Sequence, residues 1–220
     1  MNQDNGRTIA SPAAQEHPGK RRLILLAVAI GTFMGPLDSS VVNIALPSIS
    51  SYFHASMATV EWVIMSYLLI ISSLLLTYGR LGDLYGHKRI YLTGFIIFTF
   101  GSLLCGIVPT ISLLIISRAL QAIGAGMLMA MGPAIITETT PPKERGKALG
   151  TIAVAVSVAL TTGPVIGGFL TSHLGWQSVF LINVPIGITG SLWAQKIIPL
   201  PRAVRPSPLI LKEPYCFSSL

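Results

Sequence analysis

Charged residues make up only 10% of this 220-residue chain, and almost all of them fall between six long apolar runs. A soluble domain carries roughly 25% charged residues, because its surface must face water. A helix needs about 20 mostly apolar residues to cross a bilayer, and segments 23–47, 58–78, 90–109, 111–136, 148–171 and 177–198 meet that need. Lipid offers backbone N–H and C=O groups no partners, so only helices and closed barrels cross it. These runs are too long and too continuously apolar for barrel strands. The expected fold class is all-α integral membrane, with six transmembrane helices.

The lysines and arginines give the orientation. Arg7, Lys20, Arg21 and Arg22 precede the first run, and Lys196, Arg202, Arg205 and Lys212 end or follow the last. Arg80, Lys88 and Arg89 lie in the second connection; Lys143, Arg145 and Lys147 lie in the fourth. The first, third and fifth connections hold none, so fourteen of the fifteen cations fall on one side. The positive-inside rule makes that side the cytoplasm. Both termini are expected there, in a multi-pass protein of the cell membrane. The basic start imitates a signal peptide, but the run beginning at Leu23 is too long and lacks a small-residue cleavage site.

Several function classes drop out. The net charge of +7 does not imply nucleic acid, because the cations punctuate apolar runs and form no polar face. Cys105 and Cys216 give neither a disulfide framework nor metal spacing. His17, His54, His87 and His173 are scattered, with no pair at ligand spacing on one helix face. No metal, cofactor or catalytic residue is expected.

The fifteenth cation, Arg118, lies inside the fourth run, and Asp38 lies inside the first. A charge at the bilayer centre costs roughly 2.5–3.5 kcal/mol on insertion scales, and usually marks a substrate or ion pathway. At about 1.5 Å per residue, Asp38 sits roughly 22 Å from the cytoplasmic face. Arg118, on a helix running inward, sits roughly 10 Å from the outer face of a core about 30 Å thick. The two come to nearly one level. One reading makes them a protonatable acid and a guanidinium facing a shared polar cavity, as a proton-coupled carrier requires. The other is a static buried ion pair between two helices. Ser39, Ser40 and Asn43 near Asp38, and Gln121 one turn beyond Arg118, add polarity. Asn43 and Gln121 serve equally well as bonds between helices.

Glycine and proline punctuate the runs. Gly163-Pro164-Val165-Ile166-Gly167-Gly168 interrupts the fifth. Pro164 removes a backbone hydrogen bond and kinks a helix. Gly163 and Gly167, four apart, share a face that lets a neighbour approach closely. The second connection reads Gly79-Arg80-Leu81-Gly82-Asp83-Leu84-Tyr85-Gly86-His87-Lys88-Arg89. Gly79 and Gly86 permit a tight turn there, and Asp83 is followed by a basic cluster. A plain solvated loop fits the same residues.

Together these segments resemble the major facilitator superfamily, in particular the fourteen-helix branch of its drug:proton antiporters. Residues 79–91 are similar to that superfamily's loop signature, and Leu37-Asp38-Ser39-Ser40-Val41-Val42-Asn43-Ile44-Ala45-Leu46-Pro47 to its first-helix signature. Arg118-Ala119-Leu120-Gln121-Ala122-Ile123-Gly124-Ala125-Gly126 resembles the fourth-helix signature, and residues 163–168 the antiporter signature of the fifth. Trp176-Gln177-Ser178-Val179-Phe180-Leu181-Ile182-Asn183-Val184-Pro185-Ile186-Gly187 resembles the opening of the sixth. The departures are Leu84 and His87, where the loop signature is commonly basic, and Ala159 and Thr161 before Gly163.

The resemblance implies one half of that fold, two inverted three-helix repeats with the first and fourth helices beside a cavity. It implies that Asp38 and Arg118 couple protons to substrate. Asp83 and the cations after it, Lys88 and Arg89, become an inner gate latch in the loop that also holds Gly79 and Gly86. Gly163, Pro164, Gly167 and Gly168 become a bend favouring antiport. The implied partners are a small drug-like substrate and protons.

The likeness ends near Ile198. Residues 1–22 read as a cytoplasmic basic tail, 23–198 as the half-domain, and 199–220 as a Pro-rich, basic, disordered tail. A carrier rocks one half against the other, so the expectation is a truncated or partial chain. A homo-oligomer that completes the carrier, and a non-transporting six-helix scaffold, are the alternatives. An intramembrane aspartyl protease is excluded by the placing of Asp83 outside the spans, and the chain is read as no enzyme.

Overall fold

The computed structural model describes residues 18–199, all but a few of which are helical. Seven helices follow in order: α1 (Pro18–Phe53), α2 (Met57–Tyr85), α3 (His87–Ile107), α4 (Ile111–Thr139), α5 (Arg145–Leu174), α6 (Ser178–Leu181) and α7 (Asn183–Ile197). Residues 1–17 and 200–220, where the two expected tails fall, lie outside the described residues. Residues 18–22, at the end of the expected basic tail, belong to the first turns of α1.

Local chemistry sets the helix ends. Ser56 Oγ accepts the Thr59 N–H at 3.3 Å to open α2, and Thr110 Oγ1 accepts the Leu113 N–H at 3.4 Å to open α4. Hydroxyl caps of this kind satisfy N–H groups that a helix start leaves unpaired. Gly86, at φ 92°, turns the chain between α2 and α3 in a single residue. That conformation suits glycine, which has no Cβ to clash.

The second connection is therefore not a loop. Residues 79–85 continue α2, because a glycine inside a helix costs only about 1 kcal/mol and nothing else there breaks it. The sixth segment differs as well. Among the described residues five helices, α1 to α5, are long and apolar enough to cross a membrane. The sixth expected span is split at Ile182 into α6 and α7. Pro185 supplies the reason: it has no N–H for the Leu181 carbonyl one turn back.

α3 packs on α4, α1 on α5, and α2 on α4. Small residues make the first two seams close. A Cβ on Gly124 would strike the Phe98 and Gly94 backbone of α3, and one on Gly101 would meet the Gln121 backbone at 2.7 Å. Gly163 lies against Ser40, and a Cβ on Gly167 would stand 2.9 Å from the Val41 carbonyl. Gly168 meets nothing within 4 Å, and Pro164 is exposed.

The buried apolar side chains form two clusters. One gathers Ile24, Met34, Tyr91, Phe98, Ala122 and Ile136; the other gathers Leu37, Ile49, Cys105, Leu114, Trp176 and Phe180. On α1 the change from one cluster to the other falls between Met34 and Leu37, next to Asp38. On α3 it falls between Phe98 and Cys105, around Ser102, and on α4 between Leu114 and Ala122, around Arg118 and Gln121. The polar residues occupy the level where the apolar clusters meet.

Candidate functional site

Asp38 and Arg118 come together at that level, both with fully buried side chains. Arg118 Nη1 donates to Asp38 Oδ2 at 2.5 Å and to Gln121 Oε1 at 2.7 Å. Its Nε donates to the Val63 carbonyl of α2 at 3.2 Å. Gln121, one turn along α4 from Arg118, donates through Nε2 to Asp38 Oδ1 at 3.0 Å and to Ser102 Oγ of α3 at 2.8 Å. Asn183, the first residue of α7, donates to Asp38 Oδ1 at 2.8 Å. The Asp38 carboxyl thus takes three N–H donors from three side chains, a set matched to a carboxylate's lone pairs.

Aromatic faces close the cluster. The Arg118 guanidinium lies 4.0 Å from the Tyr67 ring centroid and 5.6 Å from that of Phe180. A cation over a ring face gains more when water is excluded. Tyr67 in turn donates its hydroxyl to the Gly35 carbonyl of α1 at 3.3 Å. Within this cluster two buried atoms have no hydrogen-bond partner among the described residues, Arg118 Nη2 and Asn183 Oδ1. Each marks spare hydrogen-bonding capacity beside the Asp38 carboxyl.

The two expected intramembrane charges meet inside the bundle, and no open cavity separates them. Gln121 joins them. Asn43 does not: it lies five residues after Asp38, about 140° around the helix at 3.6 residues per turn, and is exposed. Sequence reasoning missed Asn183, Ser102 and Tyr67. The one available signal was an amide, Asn183, two residues before a proline inside an apolar run.

The loop-signature residues gather at the far end of α2, α3 and α4. His87 Nδ1 lies 2.7 Å from Glu138 Oε1, and its Nε2 lies 3.4 Å from Asp83 Oδ1. Lys88 Nζ donates to the Gln195 carbonyl at 2.7 Å, near the end of α7. Among the described residues Asp83 pairs with His87, and with neither Lys88 nor Arg89.

The sequence pattern of the Major Facilitator Superfamily matches residues 28–214. This chain belongs to that superfamily. It is 43% identical over 179 residues to the riboflavin transporter RibZ of Clostridioides difficile, covering 81% of this chain and 39% of the relative. It is 35% identical over 202 residues to the tetracenomycin C resistance and export protein of Streptomyces glaucescens, covering 92% of this chain and 38% of the relative. The fold is similar to that of a bacterial homologue of the human lysosomal transporter Spinster, inward-facing and occupied. That likeness has a TM-score of 0.71 at 22% identity, over 85% of this chain and 46% of the other. This chain therefore spans about two fifths of the length of these curated relatives. Membership makes it a multi-pass membrane protein of a transporter family, not an enzyme.

Proposed function

We propose that this chain forms the amino-terminal half of a proton-coupled efflux carrier, an antiporter that exports small drug-like molecules against entering protons. One observation carries the reading: an acid and a fixed cation, Asp38 and Arg118, meet at the centre of an otherwise apolar bundle. Ionisable groups at that depth usually serve a transport pathway. A relative named for tetracenomycin C export and one named for riboflavin transport support a small-molecule substrate.

Asp38 gains and loses the proton, while Arg118 and Gln121 hold it in place. Asn43, exposed on α1, belongs to the substrate path. Gly79, Asp83, Gly86, Lys88 and Arg89 form the inner gate, with His87 placed between the carboxylates of Asp83 and Glu138. Gly163, Pro164, Gly167 and Gly168 form the bend, with Gly163 and Gly167 packed against α1. The distribution of cations supports cytoplasmic termini. Residues 178–197, about 30 Å long at 1.5 Å per residue, act as one kinked sixth span. The inverted repeats are α1–α3 and α4–α7: the succession of buried, half-buried and exposed positions over residues 21–43 recurs over 111–133. A second half, or a second copy, completes the carrier.

The enclosure of Asp38 by three donors favours a second reading, a static clamp in a non-transporting scaffold. Everted vesicles from cells expressing the chain separate the two, with riboflavin and tetracenomycin C as probes and an imposed pH gradient. The carrier gives gradient-driven uptake that Asp38→Asn abolishes. Uptake that Asp38→Asn leaves unaltered removes Asp38 from coupling, and no uptake by the chain as an oligomer or co-expressed with the carboxyl-terminal half of a relative supports the scaffold.

A further inference from the structure

Where α1 and α5 both begin, the helices part to leave a pocket of about 300 Å³. α1 contributes Arg21, Arg22 and Leu25; α5 and the turn before it contribute Glu144, Lys147 and Ala148. Three cations therefore face one carboxylate, at the positive end of the α5 dipole. Arg21 uses one terminal nitrogen on Glu144. Its Nε is buried and has no acceptor among the described residues. Neither Arg22 nor Lys147 has an acidic partner among those residues.

A buried guanidinium N–H without an acceptor is costly, and the pocket supplies excess positive charge around it. An anionic oxygen in the pocket meets that excess charge through the exposed side chains of Arg22 and Lys147. The wall changes character with depth. Leu25 lies one turn beyond Arg21 on α1, and Ala148 lies just past Lys147 on α5; both are apolar, and Ala148 is buried. The pocket is thus cationic at the membrane surface and less polar further in, where Leu25 and Ala148 stand beside the hydroxyl of Thr151. A phospholipid has that profile, a charged phosphate above glycerol and methylenes. A free phosphate satisfies the cations and leaves the apolar wall without use. Basic pockets between helices at the membrane surface bind anionic headgroups by the same arrangement.

We infer that this pocket binds the phosphate of an anionic phospholipid through Arg21, Arg22 and Lys147, with Leu25 and Ala148 against its glycerol and first methylenes. The test is native mass spectrometry of the purified full chain in detergent, titrated with phosphatidylglycerol, phosphatidylcholine or inorganic phosphate. Retention of phosphatidylglycerol over phosphatidylcholine is expected. Each cation removed lowers that retention about fivefold, so the double variant Arg21→Gln, Lys147→Gln loses about twenty-fivefold. Lys147→Arg, which keeps the charge, retains the lipid. Arg80→Gln, an exposed cation elsewhere at the same end, also retains it. Equal retention by the double variant overturns the site, and equal loss in Arg80→Gln reduces it to general charge attraction. Inorganic phosphate that displaces the lipid at equal concentration overturns the lipid as ligand. A double variant that elutes as an aggregate is replaced by Lys147→Gln alone, whose fivefold loss decides the matter.

Discussion

Arg118 meets Asp38 with neither side chain exposed, whereas Arg21 meets Glu144 at the end of the bundle with 21% and 58% of their side chains exposed. The functional groups are the same, and the medium differs. In the bundle, both charges have lost their water, and only the ring of donors and aromatic faces compensates. At the end of the bundle water does most of that work, so the exposed contact adds 0–1 kcal/mol at most. An enclosed pair is thus stringent about its partners, and an exposed one is tolerant.

The largest effect comes from leaving one enclosed charge alone. Arg118→Met strands the Asp38 carboxylate and is expected to destabilise the chain by about 3–5 kcal/mol, read from unfolding in detergent. Adding Asp38→Leu recovers most of that loss, since two apolar groups of similar volume replace a buried pair at little cost. A double variant no more stable than Arg118→Met breaks the comparison. Next comes Asn183→Leu, which removes one donor from Asp38 and is expected to cost about 1.5–3 kcal/mol, the range for a hydrogen bond to a charged group. The smallest effect is Glu144→Gln, within about 1 kcal/mol. Raising salt should shrink the Glu144→Gln effect and leave that of Arg118→Met unchanged, because screening reaches exposed charges and not enclosed ones.

The enclosed pair was legible in the sequence because each member is expensive in lipid. Asp38 and Arg118 stand out against apolar neighbours, and helical rise alone brings them to one level. Asn183, Ser102 and Tyr67 carry no such signature. Each is neutral, common in membrane helices, and meaningful only once α7, α3 and α2 are placed around Asp38. Asn43 was misleading for a related reason: nearness in sequence does not give a shared helix face. The helical run through residues 79–85 was hidden by its glycines, which suggest a turn although only Gly86 makes one. The break at Ile182 was written in Pro185, yet hydropathy averages across a single proline. The five longer helices, by contrast, follow from run length alone.

The separations inside the polar cluster also have a meaning in time. Asp38 is the first of its members to be synthesised; Arg118 follows 80 residues later, and Asn183 follows 145 residues later. At about 5–20 residues per second, the first helix waits roughly 4–16 s at the ribosome before its cation exists, and longer before its amide. During that interval the carboxyl has no permanent company in the membrane. The ion pair is a product of late assembly, and the first helix must be held by the insertion machinery, or by its own apolar flanks, until the fourth arrives.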